Sequence, residues 1–201
     1  ATTVADNTSL GYAALKDNAA ANNTAVGSYA LTENTTGTQN AAVGTNALKN
    51  NTTGAYMTAV GHDALTAATT GGQNTAVGNS ALGALTTAEL NVAIGNNAGG
   101  SITTATRNVA IGNNAYDASD TENDNMAIGI NAMTANTAGG SSNMAIGNYA
   151  LDALSSGDEN VAIGMNACGA LTTGSSNTAV GAVALGGAAV TGNFNTAIGH
   201  N

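Results

Sequence analysis

The chain has 201 residues, of which 43% are apolar but only 3% aromatic and 7% charged, with no Trp, no Pro, one Phe and one Cys. Three basic residues against twelve acidic ones leave a net charge of −9, which repels phosphate backbones and excludes a nucleic-acid-binding reading. No apolar run reaches the roughly 18 residues of a membrane helix, no charged-then-apolar leader opens the sequence, and the lone Cys168 excludes an internal disulfide.

Low charge combined with abundant Gly and Asn is compatible with disorder. Against that stand a mean hydropathy of +0.02 and the strict placement of the apolar positions. A phrase of the form N-T-A-V-G-x-x-A-L recurs twelve times, with its glycine first at Gly11 and last at Gly199. The glycine-to-glycine steps are 16, six of 17, then 18, 17, 17 and 18 residues. Such a period predicts a stacked-repeat architecture over 1–201 as a single domain.

Within each repeat, counted in chain order from the glycine as position 0, the first element is an Asn at −4, present in eleven copies and replaced once, by Met57. Stacked in register, these amides are expected to form a ladder in which each side chain donates to and accepts from the next. A strand follows. Position −2 is Ala in all copies but Ser9, and position −1 is Val or Ile in all but Leu10. Adjacent strand residues point to opposite faces, so both faces are apolar and both are expected to be covered. Alanine favours a helix, but a Gly in every repeat, β-branched residues at −1 and often −3, and the 17-residue return argue for strand.

After the glycine come two residues that suit a corner needing positive φ, such as Asn96 and Asn97 or Asn113 and Asn114. Position +3 is Ala in every copy that reaches it, from Ala14 to Ala184, which implies a contact too tight for anything larger. Position +4 is mainly Leu, with Gly99, Tyr116, Met133 and Cys168 as variants, so Cys168 reads as a buried, inert thiol. The remaining half is Thr-rich, as at Thr35-Thr36-Gly37 and Thr172-Thr173-Gly174, and predicts a second, shorter strand ending in a turn. All departures from the 17-residue step fall in this half, for example around Ser141-Ser142 and Asn193-Phe194.

Together these elements predict an all-β parallel β-solenoid, or β-roll, of about twelve 17-residue coils. Each coil supplies few bulky side chains, so the face formed by −1 and −3 is expected to be covered by another chain in a homo-oligomer. The sequence phase at 1 and at 201 also permits subunits to stack end to end as a filament, because neither end has a distinct capping composition.

The phrase N-V-A-I-G-N-N-A at 91–98 and 108–115 resembles the head repeats of YadA-like trimeric autotransporter adhesins. The continuation N-T-T-G-x-x-N-x-A-V-G at 34–44 is similar to repeats of bacteriophage tail-fibre proteins. The likeness spans nearly the whole chain, although the coil here is longer than in the adhesin heads and lacks their Ser-rich phrase. The resemblance implies a left-handed trimer exposed outside a cell or on a virion, a shaft or head that mediates attachment to a cell-surface receptor or glycan.

No catalytic constellation, cofactor site or metal site is expected. His62 and His200 occupy the same repeat position eight coils apart, roughly 38 Å at about 4.8 Å per coil, and cannot share a metal. The one acidic cluster, Asp117, Asp120, Glu122 and Asp124, has oxygen ligands close enough in sequence for Ca²⁺, but it lacks the glycine-aspartate nonapeptide of calcium-binding solenoids and reads as a solvated loop. Regular Thr arrays on solenoids can order water, which makes ice binding a minor alternative. Here the threonines come as adjacent pairs that alternate faces instead of T-x-T pairs on one face.

Overall fold

A computed structural model describes residues 6–118, 121–135, 139–187 and 191–200. Twelve three-residue strands follow one another: β1 (Thr8–Leu10), β2 (Thr24–Val26), β3 (Ala41–Val43), β4 (Thr58–Val60), β5 (Thr75–Val77), β6 (Val92–Ile94), β7 (Val109–Ile111), β8 (Met126–Ile128), β9 (Met144–Ile146), β10 (Val161–Ile163), β11 (Thr178–Val180) and β12 (Thr196–Ile198). They form one parallel sheet in sequence order, so the chain is a β-solenoid in which each coil contributes one strand. The register advances one repeat per step, as in Val92↔Val109 and Ile94↔Ile111. It survives the short step (Thr8↔Thr24) and both long ones (Met126↔Met144, Thr178↔Thr196), because the extra or missing residue is absorbed outside the strand. The eleven steps span roughly 53 Å at about 4.8 Å each.

Each strand starts after position −4, which is Asn in every coil except that of Met57, and ends just before the glycine, whose φ lies between 128° and 142° in all twelve copies. Two constraints fix that residue type. An L side chain rarely adopts this backbone conformation, and a Cβ on Gly95 would run into the carbonyl oxygen of Gly112 in the next coil. Coil stacking is therefore as close as backbone allows along this edge.

The interior is filled from four positions of each coil. The −2 alanines point inward, with Ala25, Ala93 and Ala162 at 0% exposure, and the +3 alanines and +4 side chains, such as Ala98, Leu31 and Leu151, are equally buried. A further inward column at +7 is not evident from the repeat phrase. Its occupants are Asn34 and Asn51 in two coils and Leu85, Ile102, Leu154 and Leu171 in others, all buried. Where it is Asn, the amide is satisfied: Asn51 Nδ2 donates to Asn34 Oδ1 (2.9 Å) and to the Gly54 carbonyl (3.0 Å).

The corner is sharper than a single turn. Besides the glycine, three non-glycine positions in most coils are left-handed: −5, +2 and +4, as at Leu90 (φ 63°), Asn97 (55°) and Leu48 (51°). Asn97 and Asn114 thus take the positive φ expected of the corner, whereas their neighbours Asn96 and Asn113 do not. A left-handed L residue costs roughly 1–2 kcal/mol, so every coil carries strain that only its hydrogen bonds and packing against neighbouring coils offset.

Among the described residues the expected second strand is not formed: the Thr-rich half consists of bends and irregular backbone, with one isolated bridge residue at Leu171. In it the N–H groups of Thr52 and Thr53 both donate to the single carbonyl of Thr69 (2.9 and 3.2 Å), so consecutive residues share one acceptor and no alternating ladder develops. The threonine hydroxyl joins the same acceptor, with Thr52 Oγ1 donating to Thr69 O at 3.0 Å and Thr35 Oγ1 to Thr52 O at 2.9 Å.

Two substitutions test this geometry. Gly95→Ala is expected to destabilise the protein by about 3 kcal/mol or more in urea denaturation, because it adds both backbone strain and a clash. Leu90→Gly, at a left-handed residue 48% exposed to solvent, is expected to stabilise it by about 0.5 kcal/mol, since it relieves strain and removes little packing.

Candidate functional site

The surface that the sequence marks most strongly is the outer face of the sheet. In β2 to β11 the central residue of each strand is buried and its two neighbours, at −3 and −1, face outward and are half-buried to exposed. Val43, Val60, Ile94 and Ile163 are 37–41% exposed. None of the twelve acidic or three basic residues of the chain lies at −3 or −1 in any coil. The result is an uncharged strip two side chains wide that runs the length of the sheet.

Beside that strip the asparagines at −4 clamp each coil to the next. Asn91 Oδ1 accepts the backbone N–H of Asn108 (2.9 Å), while Asn91 Nδ2 donates to the carbonyl of Ala105 (2.8 Å), three residues earlier in the same neighbouring coil. The arrangement repeats from Asn23, which accepts Asn40 N–H (3.0 Å) and donates to Gly37 O (2.9 Å), to Asn177, which accepts Asn195 N–H (2.9 Å) and donates to Gly192 O (3.0 Å). Direct amide-to-amide bonds, the expected ladder, are present only in part, as between Asn160 Nδ2 and Asn143 Oδ1 (3.0 Å). The main partner of each side chain is backbone. Met57 still donates its N–H to Asn40 Oδ1 (2.9 Å), but its thioether provides no amide for the next coil.

The other residues singled out by sequence are dispersed. His62 and His200 are exposed at corners, and His62 Nδ1 lies 2.9 Å from Asp63 Oδ2. Asp120 lies outside the described residues. The three remaining members of the acidic cluster go separate ways. Asp117 is half-buried, and loss of water raises its pKa against a hydrogen bond from Asn97 that lowers it. Glu122 is buried and turns back to accept from Thr121 N (3.1 Å). Asp124 is gripped bidentately by Arg107 (Nε–Oδ1 2.6 Å, Nη2–Oδ2 2.8 Å), whose hydrogen bond holds its pKa below the usual carboxylate value. Among the described residues no three His, Cys, Asp or Glu side chains sit close enough to hold one metal ion. Cys168 is buried at +4, and burial pushes its thiol up to about 11.

At the surface, Tyr12 and Tyr29 meet edge to face at 5.3 Å, and Lys49 Nζ lies 5.6 Å above the Tyr29 ring. An open depression of about 350 Å³ lies between the last two coils, lined by Ala184, Leu185, Gly186, Ala197, Ile198 and His200 among others. It presents one titratable side chain and no convergent polar groups of the kind a small-molecule site uses.

Two outcomes follow from the clamp and from the buried thiol. Asn160→Ala removes hydrogen bonds to Gly174 O, Asn143 Oδ1 and Asn177 N, and is expected to cost about 3 kcal/mol; the partly buried Asn195→Ala is expected to cost less than half of that in the same denaturation series. A thiol reagent is expected to leave Cys168 unmodified at pH 8 in the native protein and to label it fully in denaturant. Because the folded-state pKa is raised, this thiol's contribution to stability is complete below the ordinary value of 9.0 and is lost as pH rises toward about 11. No protein-family model, no curated protein and no solved structure matches this chain.

Proposed function

We propose that the chain is a non-enzymatic structural module of an extracellular fibre, the shaft or head of a cell-surface appendage or phage tail fibre, and that it works as a laterally associated homo-oligomer. The single observation behind this reading is the uninterrupted twelve-strand parallel sheet whose outer columns contain no charged side chain. A rigid rod roughly 53 Å long suits a spacer or presenting element. Its uncharged strip gives copies of a chain of net charge −9 a place to approach one another. The resemblance of 91–98, 108–115 and 34–44 to adhesin-head and tail-fibre repeats supports the same reading, favours three copies, and makes a receptor or glycan on the target surface the expected ligand of the assembled tip.

Sedimentation equilibrium at micromolar concentration tests the assembly. Three chain masses are expected, and a monodisperse monomer contradicts the proposal. Electron microscopy of the same sample is expected to give short rods. Long unbranched filaments would point instead to end-to-end stacking.

A further inference from the structure

The clamp fails at one place inside the rod. In every other coil from Asn23 to Asn177 the −4 side chain makes both of its grips, accepting the N–H at the next −4 position and donating to the carbonyl three residues before it. Met57 makes neither, because a thioether has no donor and is a weak acceptor. The two groups that an asparagine there would hold are the Asn74 N–H and the Gly71 carbonyl. Both residues are buried, and among the described residues neither group has a hydrogen-bond partner.

A second donor to the same carbonyl is missing as well. One coil earlier, the Gly54 carbonyl accepts from Asn40 Nδ2 at −4 (2.8 Å) and from Asn51 Nδ2 at +7 (3.0 Å). Met57 and Ala68 occupy these two positions in the coil of β4, and neither side chain can donate. The inward +7 column changes character at this point, with Asn34 and Asn51 before it, Ala68 at the changeover, and Leu85 and Ile102 after it, all buried. Two separate columns of the interior thus break at one coil. We propose that the contact between the coils of β4 and β5 is a built-in seam, at which the rod parts locally before any other internal coil contact yields.

The seam follows from what parting costs. Elsewhere it breaks two side-chain hydrogen bonds per contact, whereas here it returns water to two buried groups that folding leaves unpaired. Strand pairing continues across the seam, in the register Thr58↔Thr75, so this is a weak contact within one sheet and not a gap in it. In a stacked repeat each coil touches only its neighbours, and local opening is therefore decided at the weakest interface. The rod is divided into a block of β1 to β4 and a block of β5 to β12, with one preset place to yield between them.

Native-state hydrogen exchange on the purified protein tests the seam, since three contacts offer amides with nearly equal bonds. Thr24 and Gly44 donate across β2–β3 (2.8 Å each), Thr58 and Gly78 across β4–β5 (2.9 and 2.8 Å), and Val92 and Gly112 across β6–β7 (2.9 and 2.8 Å). Corrected for intrinsic rates, Thr58 and Gly78 are expected to exchange about tenfold faster than both flanking pairs. Fraying from the ends gives no such internal minimum. Met57→Asn is expected to abolish it. Asn108→Met, which removes the bonds to Glu122 O and Asn125 N–H, is expected to create a second minimum at Val109 and Gly129, whose amides cross β7–β8.

Protection of Thr58 and Gly78 equal to that of either flanking pair would overturn the proposal. So would a minimum that persists unchanged in Met57→Asn, or an Asn108→Met protein with undiminished protection at Val109 and Gly129. Should one variant fail to fold, the native profile and the other variant decide.

Discussion

Everything in this molecule depends on stacking one coil on the next at the spacing of a parallel sheet. No coil has a core of its own. Its inward side chains are mostly alanine with one leucine-sized residue, and its corner strains several backbone positions into the left-handed region. What makes the conformation stable is the neighbour: strand pairing along β1 to β12, the glycine edge packed backbone to backbone, and the asparagine that grips the next coil at two points three residues apart. The asparagine carries the most specific information of the three. Its carboxamide supplies one acceptor and one donor in a fixed fork, which matches an N–H and a C=O of the adjacent coil, and no other side chain of that length has both. Recurrence of Asn at −4 is thus the chemical signature of the stacking itself, and Met57 marks the one coil where the signature is missing.

From that constraint the outer surface follows. Because −2 must be small and inward, −3 and −1 must point outward, and the sequence fills them with Val, Ile, Met, Thr and Ala instead of charge. An ordinary solvent-facing sheet alternates apolar and polar residues; this one does not. Acidic residues are confined to the other sides of the coil, so the distribution of charge and the distribution of apolar surface describe the same division. The lateral assembly proposed above rests on that division.

Much of the fold is legible in the sequence, because a repeat averages out local ambiguity. Strand phase, the inward alanines, the role of the glycine and the position of the clamp all come from residues that recur in nearly every copy. Three features did not. The Thr-Thr pairs suggested a second strand since threonine has high strand propensity, but consecutive N–H groups converging on one carbonyl prevent a ladder. The inward +7 column is filled by Asn34 and Asn51 in some coils and by Leu85 or Leu171 in others, so no single residue type announces it. Left-handed leucines such as Leu48 and Leu82 carry no sequence signal at all, because leucine has no preference for that conformation and adopts it only where the stack requires it. Of the candidate chemistry, His62 follows β4 and His200 follows β12, and the described members of the acidic cluster are engaged with Asn97, Thr121 and Arg107 individually.

A stack held by the asparagine clamp has that clamp as its last interaction to yield. Native-state hydrogen exchange measures it directly, residue by residue. The backbone amides of Asn108 and Asn160, which donate to Asn91 Oδ1 and Asn143 Oδ1 at 2.9 Å, are predicted to be among the slowest in the protein, exchanging only with global unfolding. Exchange of these amides as fast as that of exposed corner residues such as Asn96 would contradict it.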